Sequence, residues 1–230
     1  MTIVVLISAE AEWDALKELL PKSSTYSRTP FGEQCVAILD GQEYTFFQGG
    51  WGKIAAAAST QYAIDMLKLD LLINIGTCGG FAGHAKKGDH IIAERTVVYD
   101  IIEKMGDPIE ALAAYSTEID TQWLPSELPP HTRKGIMLSA DRDVVSEDLA
   151  ELYKHKGIVA DWESGAIAWV ANRNNMPVII IRGVSDMISE HEAEAFNNLT
   201  VFLEGTQTVM GSLLEQLPFW TKTWQQNTLK

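Results

Sequence analysis

Two acidic residues lie at the ends of one predicted strand-helix-strand unit. Glu163 begins the helix that follows an apolar segment ending at residue 160, and Asp186 follows the apolar strand 178–181. Open α/β sheets bind ligands beyond the carboxyl ends of their strands, and a helix N-terminus favours negative charge. These carboxylates are therefore placed to bind a ligand or to take part in its chemistry. Each could equally be a helix cap or a turn residue.

An acidic pair also follows the first predicted strand. Residues 1–7 are apolar and mostly β-branched, and Glu10 and Glu12 lie in the first turn of the next helix. Apolar residues at 13, 16, 19 and 20 have helical spacing. Both glutamates could complement the helix dipole, but their place at a strand's carboxyl end makes a pocket role equally plausible.

The remaining pattern predicts a mixed sheet flanked by helices. A hairpin is expected over residues 35–48 with its turn at Asp40-Gly41, and buried strands are expected at 71–75 and 135–138. A Gly-rich turn is predicted at 49–52, before the Ala-rich helix 54–67. A second is predicted at 76–80, after the strand that follows this helix. Glycine at such turns lets the backbone approach a ligand closely.

The second half of the chain carries a long irregular segment and a closing helix. Residues 100–130 contain four prolines and predict a loop with one short helix near 108–114. A helix is expected over 146–155, capped by Ser146. Apolar spacing predicts an amphipathic helix over 193–217, after which two tryptophans beyond Pro218 are expected to be exposed and available to an interface.

Composition narrows the functional class. The 230 residues suit a single α/β domain over 1–230, and the net charge of −13 argues against nucleic acid or anionic membranes as partners. Cys35 and Cys78 have no metal-ligand spacing and are expected to be reduced, which suits the cytoplasm. No signal peptide or membrane span is predicted, and no metal or cofactor is expected.

Four motifs in order resemble those of the purine nucleoside phosphorylase and nucleosidase superfamily. Residues 75–80 read IGTCGG, residues 161–166 read DWESGA and residues 184–186 read VSD. Residues 8–12, which read SAEAE, resemble the start of its 5′-methylthioadenosine/S-adenosylhomocysteine nucleosidase branch. The resemblance covers nearly the whole chain, from Met1 to about Leu217. It implies one α/β domain with a central, mixed, barrel-like sheet flanked by helices, assembled as a homo-oligomer of two or more subunits.

The same resemblance implies cleavage of the bond between a purine and ribose. Asp186 is similar in place to the general acid that acts on purine N7, and Glu12 to the base that deprotonates the attacking water. Glu163 resembles the carboxylate that binds the ribose hydroxyls. The full set of substrate-binding positions implied in this way is Thr77, Gly79, Val144, Trp162, Glu163, Ser185 and Phe196. The chemistry agrees, because an oxocarbenium-like sugar is stabilised by carboxylates and its nucleophilic water needs a base.

The nature of the nucleophile is indicated by the residues that could hold it. A phosphorylase must bind an anion, which takes arginine forks and backbone amides together. By the same resemblance, phosphorylases have an arginine at the position of Asn74 in this chain. The carboxylate of Glu12 would also repel phosphate. Arg182 lies on a predicted strand and is interpreted as a structural partner for an acid. Water is therefore the predicted nucleophile, and 5′-methylthioadenosine and S-adenosylhomocysteine are the expected substrates.

Three alternatives stay open. Asp143 stands where the nucleosidase branch often has an aromatic residue that stacks on adenine, so another purine nucleoside such as futalosine or adenosine is one alternative. A purine nucleoside phosphorylase is the second. The third is a non-catalytic purine-binding or storage protein, although Glu12, Glu163 and Asp186 are all present.

Overall fold

The computed structural model describes residues 1–228, so Leu229 and Lys230, which end the predicted domain, lie outside it. The elements follow in the order β1 (Ile3–Ile7), α1 (Glu10–Leu19), β2 (Thr25–Thr29), β3 (Gly32–Leu39), β4 (Gln42–Gln48), α2 (Gly52–Leu67), β5 (Leu71–Phe81), β6 (His90–Val98), α3 (Pro108–Ala114), β7 (Ser116–Glu118), β8 (Thr132–Ser139), α4 (Leu149–Leu152), β9 (Val159–Asp161), α5 (Ser164–Arg173), β10 (Val178–Ile188) and α6 (Leu199–Thr228).

The strands form one mixed sheet, part of which closes on itself. β5 pairs with β10, and the sheet continues through β6, β8 and β9 back to β5. The first residues of β5 also pair with β1, which leads outward to β4, β3 and β2. This topology confirms the predicted barrel-like α/β fold.

Helices cover both faces of the sheet. On one side α1 and α6 contribute residues such as Trp13 and Leu213 to a core shared with β1, β5 and β10. On the other side α2 and α5 contribute Ala63 and Ile167 to a second core. Burial of these apolar surfaces supplies the main free energy of folding. The predicted first strand and helix, the hairpin with its turn at Asp40-Gly41, and the short helix at 108–114 are confirmed.

The second predicted Gly-rich turn is wrong. Residues 76–80 continue β5 instead of ending it, and they pair with residues 182–187 of β10. A Cβ atom on Gly80 would lie 2.6 Å from Val184, and one on Gly79 would lie 2.8 Å from Ile188. Here glycine is required because neighbouring side chains lie against the strand, and not because the chain turns.

Asp186 was expected just beyond a strand, and this placement is wrong in detail. β10 runs on to Ile188, so Asp186 lies within it. The pairing with β5 shifts between Val184 and Asp186, which leaves Ser185 as an extra residue in a β-bulge. Bulges of this kind re-aim a side chain beside a functional site. The strand predicted at 135–138 is likewise longer in the structure, where it is β8.

The closing helix and the tail differ from the prediction. α6 begins at Leu199, includes Pro218, and continues to Thr228. Trp220 and Trp224 are buried against the core, so the expectation of two exposed tryptophans is wrong. The apolar spacing of the helix continues past the proline, and tertiary packing outweighs the local cost of proline in a helix.

The segment from 146 to 155 is only partly α-helical. Two 3₁₀ turns, Ser146–Asp148 and Tyr153–His155, flank the short α4. Ser146 does not cap it, because the N-cap position is Val145, whose backbone N–H donates to the carboxylate of Asp148. In the loop 100–130 the structure adds β7, which the sequence did not indicate.

Two predictions on the cysteines and on membranes can be compared with the structure. Cys35 and Cys78 are buried free thiols, as expected. Among the helices of residues 1–228, none combines the length and the apolar character needed to cross a membrane.

Candidate active site

Arg182, in the middle of β10, is fully buried and lies among three carboxylates. Its Nε is 2.7 Å from Oδ2 of Asp161, its Nη1 is 3.7 Å from Oε1 of Glu12, and its Nη2 is 3.6 Å from Oε2 of Glu163. The interpretation of Arg182 as a partner for an acid is confirmed. The N–H groups do not align with these oxygens as formed hydrogen bonds, so the contacts are ion pairs.

Gly76 makes room for this cluster. It pairs with Arg182 across β5 and β10. A Cβ atom at Gly76 would lie 2.0 Å from Nη1 of Arg182 and 2.7 Å from Oε1 of Glu12. Any larger residue would displace the guanidinium or the carboxylate, because buried groups have no free volume into which to move. The glycine of the IGTCGG motif is thus a condition for bringing Glu12 and Arg182 together.

Glu12 is buried at the first turn of α1 and held by β5. Its Oε1 accepts hydrogen bonds from the backbone N–H of Thr77 at 2.6 Å and from the Thr77 hydroxyl at 2.9 Å. Its Oε2 accepts a longer bond of 3.3 Å from the N–H of Ala9. Three donors fix the carboxylate, and Oε2 is the less engaged oxygen. Two of the sequence-predicted site residues, Glu12 and Thr77, are therefore in direct contact.

Glu163 lies just before α5 and points at the same guanidinium. The N–H of Gly52 donates to its Oε1 at 3.0 Å. Burial raises the pKa of Glu163 to about 8, with Arg182 opposing the change and the nearby Asp161 and Glu12 adding to it. One guanidinium cannot neutralise three carboxylates, so this carboxyl group protonates more readily than an exposed glutamate.

Asp186 lies further along β10, opposite Gly79 of β5. The hydroxyl of Ser185 donates to its Oδ1 at 2.6 Å. Burial raises the pKa of Asp186 above its ordinary value, the bond from Ser185 opposes this, and Glu194 adds to it. A buried aspartic acid with a raised pKa keeps its proton to higher pH, as a general acid requires. Gly79 and Ser185 are thus in contact with Asp186 or directly opposite it.

Trp162 extends the site towards solvent. Its ring stacks on Trp51 with centroids 4.6 Å apart and an angle of 25° between the planes. Trp51 is 66% exposed, directly before the N-terminus of α2. The two rings form an aromatic wall next to Glu163. Aromatic faces of this kind bind sugars and apolar groups by packing.

Two predicted positions, Val144 and Phe196, have different surroundings. Val144 packs against a third apolar cluster that includes Phe81 and Ile188. Phe196 is half exposed in the segment between β10 and α6, and within residues 1–228 its ring stacks on no other aromatic ring. The structure therefore brings Glu12, Thr77, Trp162 and Glu163 together, and Gly79, Ser185 and Asp186 together. Within residues 1–228, no hydrogen bond joins Val144 or Phe196 to either group.

Asp161 was missed as a site residue. Its carboxylate accepts bonds from the Ser164 N–H at 3.2 Å and from the Ser164 hydroxyl at 2.7 Å, and it contacts Arg182. The signal was available, since an aspartate three residues before a serine at a helix start is a capping pattern. The contribution of Gly52 was also missed. No sequence pattern indicates that its N–H would reach a residue 111 positions away.

The sequence matches a known family over most of its length. The sequence model of the phosphorylase superfamily matches residues 2–217, and the chain belongs to this superfamily.

Individual relatives are similar over most of their length. A 5′-methylthioadenosine/S-adenosylhomocysteine nucleosidase of Buchnera aphidicola is 30% identical over 67% of this chain and 68% of its own. The enzyme of the same name from Haemophilus influenzae is 28% identical over 81% and 86% of the two chains. Among solved structures, the nucleosidase of S. pneumoniae with a transition-state inhibitor superposes with a TM-score of 0.75 at 22% identity, over 94% of this chain and 96% of its own.

Proposed function

We propose that this chain is an N-ribosyl hydrolase that cleaves the bond between the purine and ribose of 5′-methylthioadenosine and S-adenosylhomocysteine. Water is the nucleophile and adenine is released. The curated relatives from Buchnera and Haemophilus, which carry this name, support the substrate class. The buried acids around Arg182 and on β10 support the reaction.

Carboxylates occupy the hydrogen-bond donors that could otherwise bind an anion, which supports water as the nucleophile. Arg182 contacts Glu12, Asp161 and Glu163. The first backbone N–H groups of α2 donate to Glu163 and Asp141. A helix N-terminus and an arginine are the groups that would hold phosphate. With several negative charges already on these donors, phosphate would be repelled, whereas neutral water would not.

Asp186 is the proposed general acid. Departure of the purine moves the electron pair of the bond to C1′ onto the base, and a proton from Asp186 to N7 makes the leaving group neutral. The raised pKa of this buried group supports the role because it keeps the proton available to higher pH than on an exposed aspartic acid. Ser185 orients the carboxyl group through its bond to Oδ1.

Glu12 is the proposed base. Water adds to C1′ of the oxocarbenium-like sugar and gives up a proton to the carboxylate. Thr77 fixes Oε1 with two hydrogen bonds, which leaves Oε2 as the oxygen that takes the proton. The negative charge of Glu12 also stabilises the positive sugar. No metal or cofactor takes part in the proposed steps.

Glu163 is proposed to accept hydrogen bonds from the ribose hydroxyls, with Trp162 packing on the sugar. Two hydroxyl donors would favour the ionised carboxylate, so substrate binding would lower the raised pKa of Glu163. Thr77, Gly79, Val144, Ser185 and Phe196 complete the proposed substrate-binding set. For Val144 and Phe196 the proposal rests on the family resemblance alone.

The proposal extends to assembly and location. We expect a homo-oligomer, since Ile54, Ile102, Met105 and Ile109 are at least three-quarters exposed, and such side chains are often covered by a partner subunit. A cytoplasmic location is supported by the two free cysteines. The net charge of −13 favours a small-molecule substrate over nucleic acid and anionic membranes.

Release of free adenine from 5′-methylthioadenosine, S-adenosylhomocysteine and adenosine in phosphate-free buffer tests the proposal. Chromatography of the products is expected to show adenine from the first two substrates at the highest rates. Absence of adenine release from all three nucleosides would contradict the proposed function. Faster release from adenosine than from the other two would contradict the proposed substrate class.

A further inference from the structure

The N-terminus of α2 contacts three other segments of the chain, one of which contains Glu163. The N–H of Gly52 donates to Oε1 of Glu163 at 3.0 Å, and the next N–H, that of Lys53, donates to Oδ1 of Asp141 at 2.7 Å. Asp141 follows β8 and Glu163 follows β9. Two carboxylates from separate parts of the chain therefore cap one helix.

Side chains close this connection into a ring. The ammonium group of Lys53 pairs with the carboxylate of Asp100, which follows β6. Oδ2 of Asp100 accepts a bond of 3.2 Å from the N–H of Asp141, which in turn binds Lys53. We call Lys53, Asp100 and Asp141 the Lys53 latch. The side chains of Lys53 and Asp100 are only 20% and 22% exposed, so water screens their ion pair less than one at the surface.

The backbone at Gly52 has a conformation typical of glycine. Gly52 has φ of +83°, a conformation open to glycine, and its unsubstituted backbone has many accessible alternatives. A Cβ atom there would lie 3.2 Å from Oδ1 of Asp141. Fixing the next residue, Lys53, at both its N–H and its ammonium group removes this freedom. The direction of the Gly52 N–H then depends on the latch.

The carboxylate of Glu163 accepts a hydrogen bond from this N–H, and charged groups on other elements also act on it. The charged groups around its carboxylate are Arg182 of β10, which attracts it, and Asp161 of β9 and Glu12 of α1, which repel it. Gly52 supplies the backbone hydrogen bond to the carboxylate. A hydrogen bond to the ionised form lowers the pKa of a carboxyl group. Displacing Gly52 would leave the repulsion with less compensation.

We propose that Lys53, Asp100 and Asp141 are positioning residues that hold the Gly52 N–H on Glu163, and so set the geometry and charge of the carboxylate that binds ribose. This inference rests on the proposed function for its catalytic consequence. Its structural consequence, the hydrogen bond on Glu163, can be measured without any reaction.

Two measurements on the full chain test the proposal. In Lys53→Met, the acidic limb of the pH profile of kcat/KM is expected to move to higher pH by about one unit, because a lost hydrogen bond to a charged group costs roughly a tenfold change in equilibrium. Lys53→Arg keeps the cation and is expected to retain the parental limb. Lys134→Met, which removes an ion pair between neighbouring strands to Glu94, is the control.

The second measurement follows the carboxyl group of Glu163 by ¹³C NMR in protein labelled at glutamate side chains, with Glu163→Gln to assign the signal. Its titration is expected at higher pH in Lys53→Met than in the parent and in Lys134→Met. Unchanged titration with parental thermal stability would overturn the proposal. If the parent releases no adenine, the proposed function is wrong. The titration of Glu163 still tests whether the Lys53 latch holds the hydrogen bond on its carboxylate.

A second variant covers the case in which Lys53→Met is unstable. If Lys53→Met does not fold, Asp141→Asn removes the charge and keeps an amide oxygen that can accept the Lys53 N–H. It is expected to shift the Glu163 titration in the same direction by less. No shift in Asp141→Asn would also overturn the proposal.

Discussion

Glu12, Asp161 and Glu163 share a single buried guanidinium, and this arrangement is unfavourable for folding. Burial of charge is costly unless each charge is paired and hydrogen-bonded. Arg182 offsets the charge of one carboxylate, and the pKa of Glu163 is raised first by burial and then by repulsion from Asp161 and Glu12. Groups held in this way are found where an enzyme needs them for its reaction. The cluster therefore indicates function, and its members limit the stability of the chain.

The first prediction at the scale of residues concerns stability. The pKa of Glu163 rises from 4.5 to about 8 on folding, so between these values the folded chain holds a proton that the unfolded chain has lost. Stability therefore falls as the pH rises through this window. Glu163→Gln is expected to raise the free energy of unfolding at pH 8 by up to about 4 kcal/mol and to leave it unchanged near pH 4.

Urea unfolding of both proteins at the two pH values measures this effect. Glu43→Gln, at an exposed position of β4, serves as the control and is expected to change little. Lower stability of Glu163→Gln at pH 8 would mean that the ion pair with Arg182 outweighs the repulsion.

A second prediction concerns catalysis by Asp186. Asparagine can still accept the hydroxyl of Ser185 but cannot give a proton to the purine. Asp186→Asn is expected to fold normally and to lose about 10²- to 10⁴-fold in kcat. Steady-state adenine release is the measurement, with the exposed Asp65→Asn of α2 as the control. A variant with the parental kcat would remove Asp186 from the mechanism.

At the scale of elements, β5 is the strand against which the buried side chains of the site pack. The glycines of its second half let side chains of α1 and β10 lie directly against the strand. The sequence predicted a turn here, because a run of glycines after an apolar strand usually ends it. Local pattern cannot distinguish a turn from a strand that must be free of side chains, since the difference lies in the neighbouring strand.

Gly76→Ala tests this account of β5. Its new methyl group would overlap Nη1 of Arg182, so the guanidinium and Glu12 would separate. We expect a fall in kcat/KM of at least about 10²-fold, because misplacing catalytic groups by about 1 Å can lower the rate by that factor. Gly211→Ala in α6 meets no atom within 4 Å and is expected to keep full activity. Parental activity in Gly76→Ala would contradict the close packing described.

α6 illustrates the same limit of local reasoning. Proline normally ends a helix, and Pro218 led to the expectation of an exposed tail. Trp220 is instead 1% exposed and packs edge-on against Trp123, with centroids 6.3 Å apart. Apolar spacing gave the helix, but only the facing core shows how far it continues.

Trp220→Ala measures how much the second half of α6 contributes. Loss of a buried tryptophan is expected to lower the free energy of unfolding by about 3–5 kcal/mol. Phe219→Ala, at a position 40% exposed, is expected to cost about 1 kcal/mol. Chemical unfolding followed by circular dichroism compares the two variants. Equal, small losses would mean that the end of α6 is not part of the core.

At the scale of the whole molecule, the sequence predicted the class of fold and most of the acids of the site. Glu12, Glu163 and Asp186 were indicated because each lies beside a strand end or helix start. The role of Gly52 was not, because its hydrogen bond to Glu163 joins segments distant along the chain. Such contacts follow from closure of the sheet, which no local pattern encodes.

Exclusion of phosphate is the central claim at this scale, and it follows from the occupation of Arg182 and the N-terminus of α2 by carboxylates. The most direct test is ³¹P NMR of 5′-methylthioadenosine with the purified protein and excess inorganic phosphate. The account predicts adenine release at the rate seen without phosphate, a free sugar product, and no signal from a sugar phosphate. Growth of a sugar-phosphate signal in step with adenine release would contradict it.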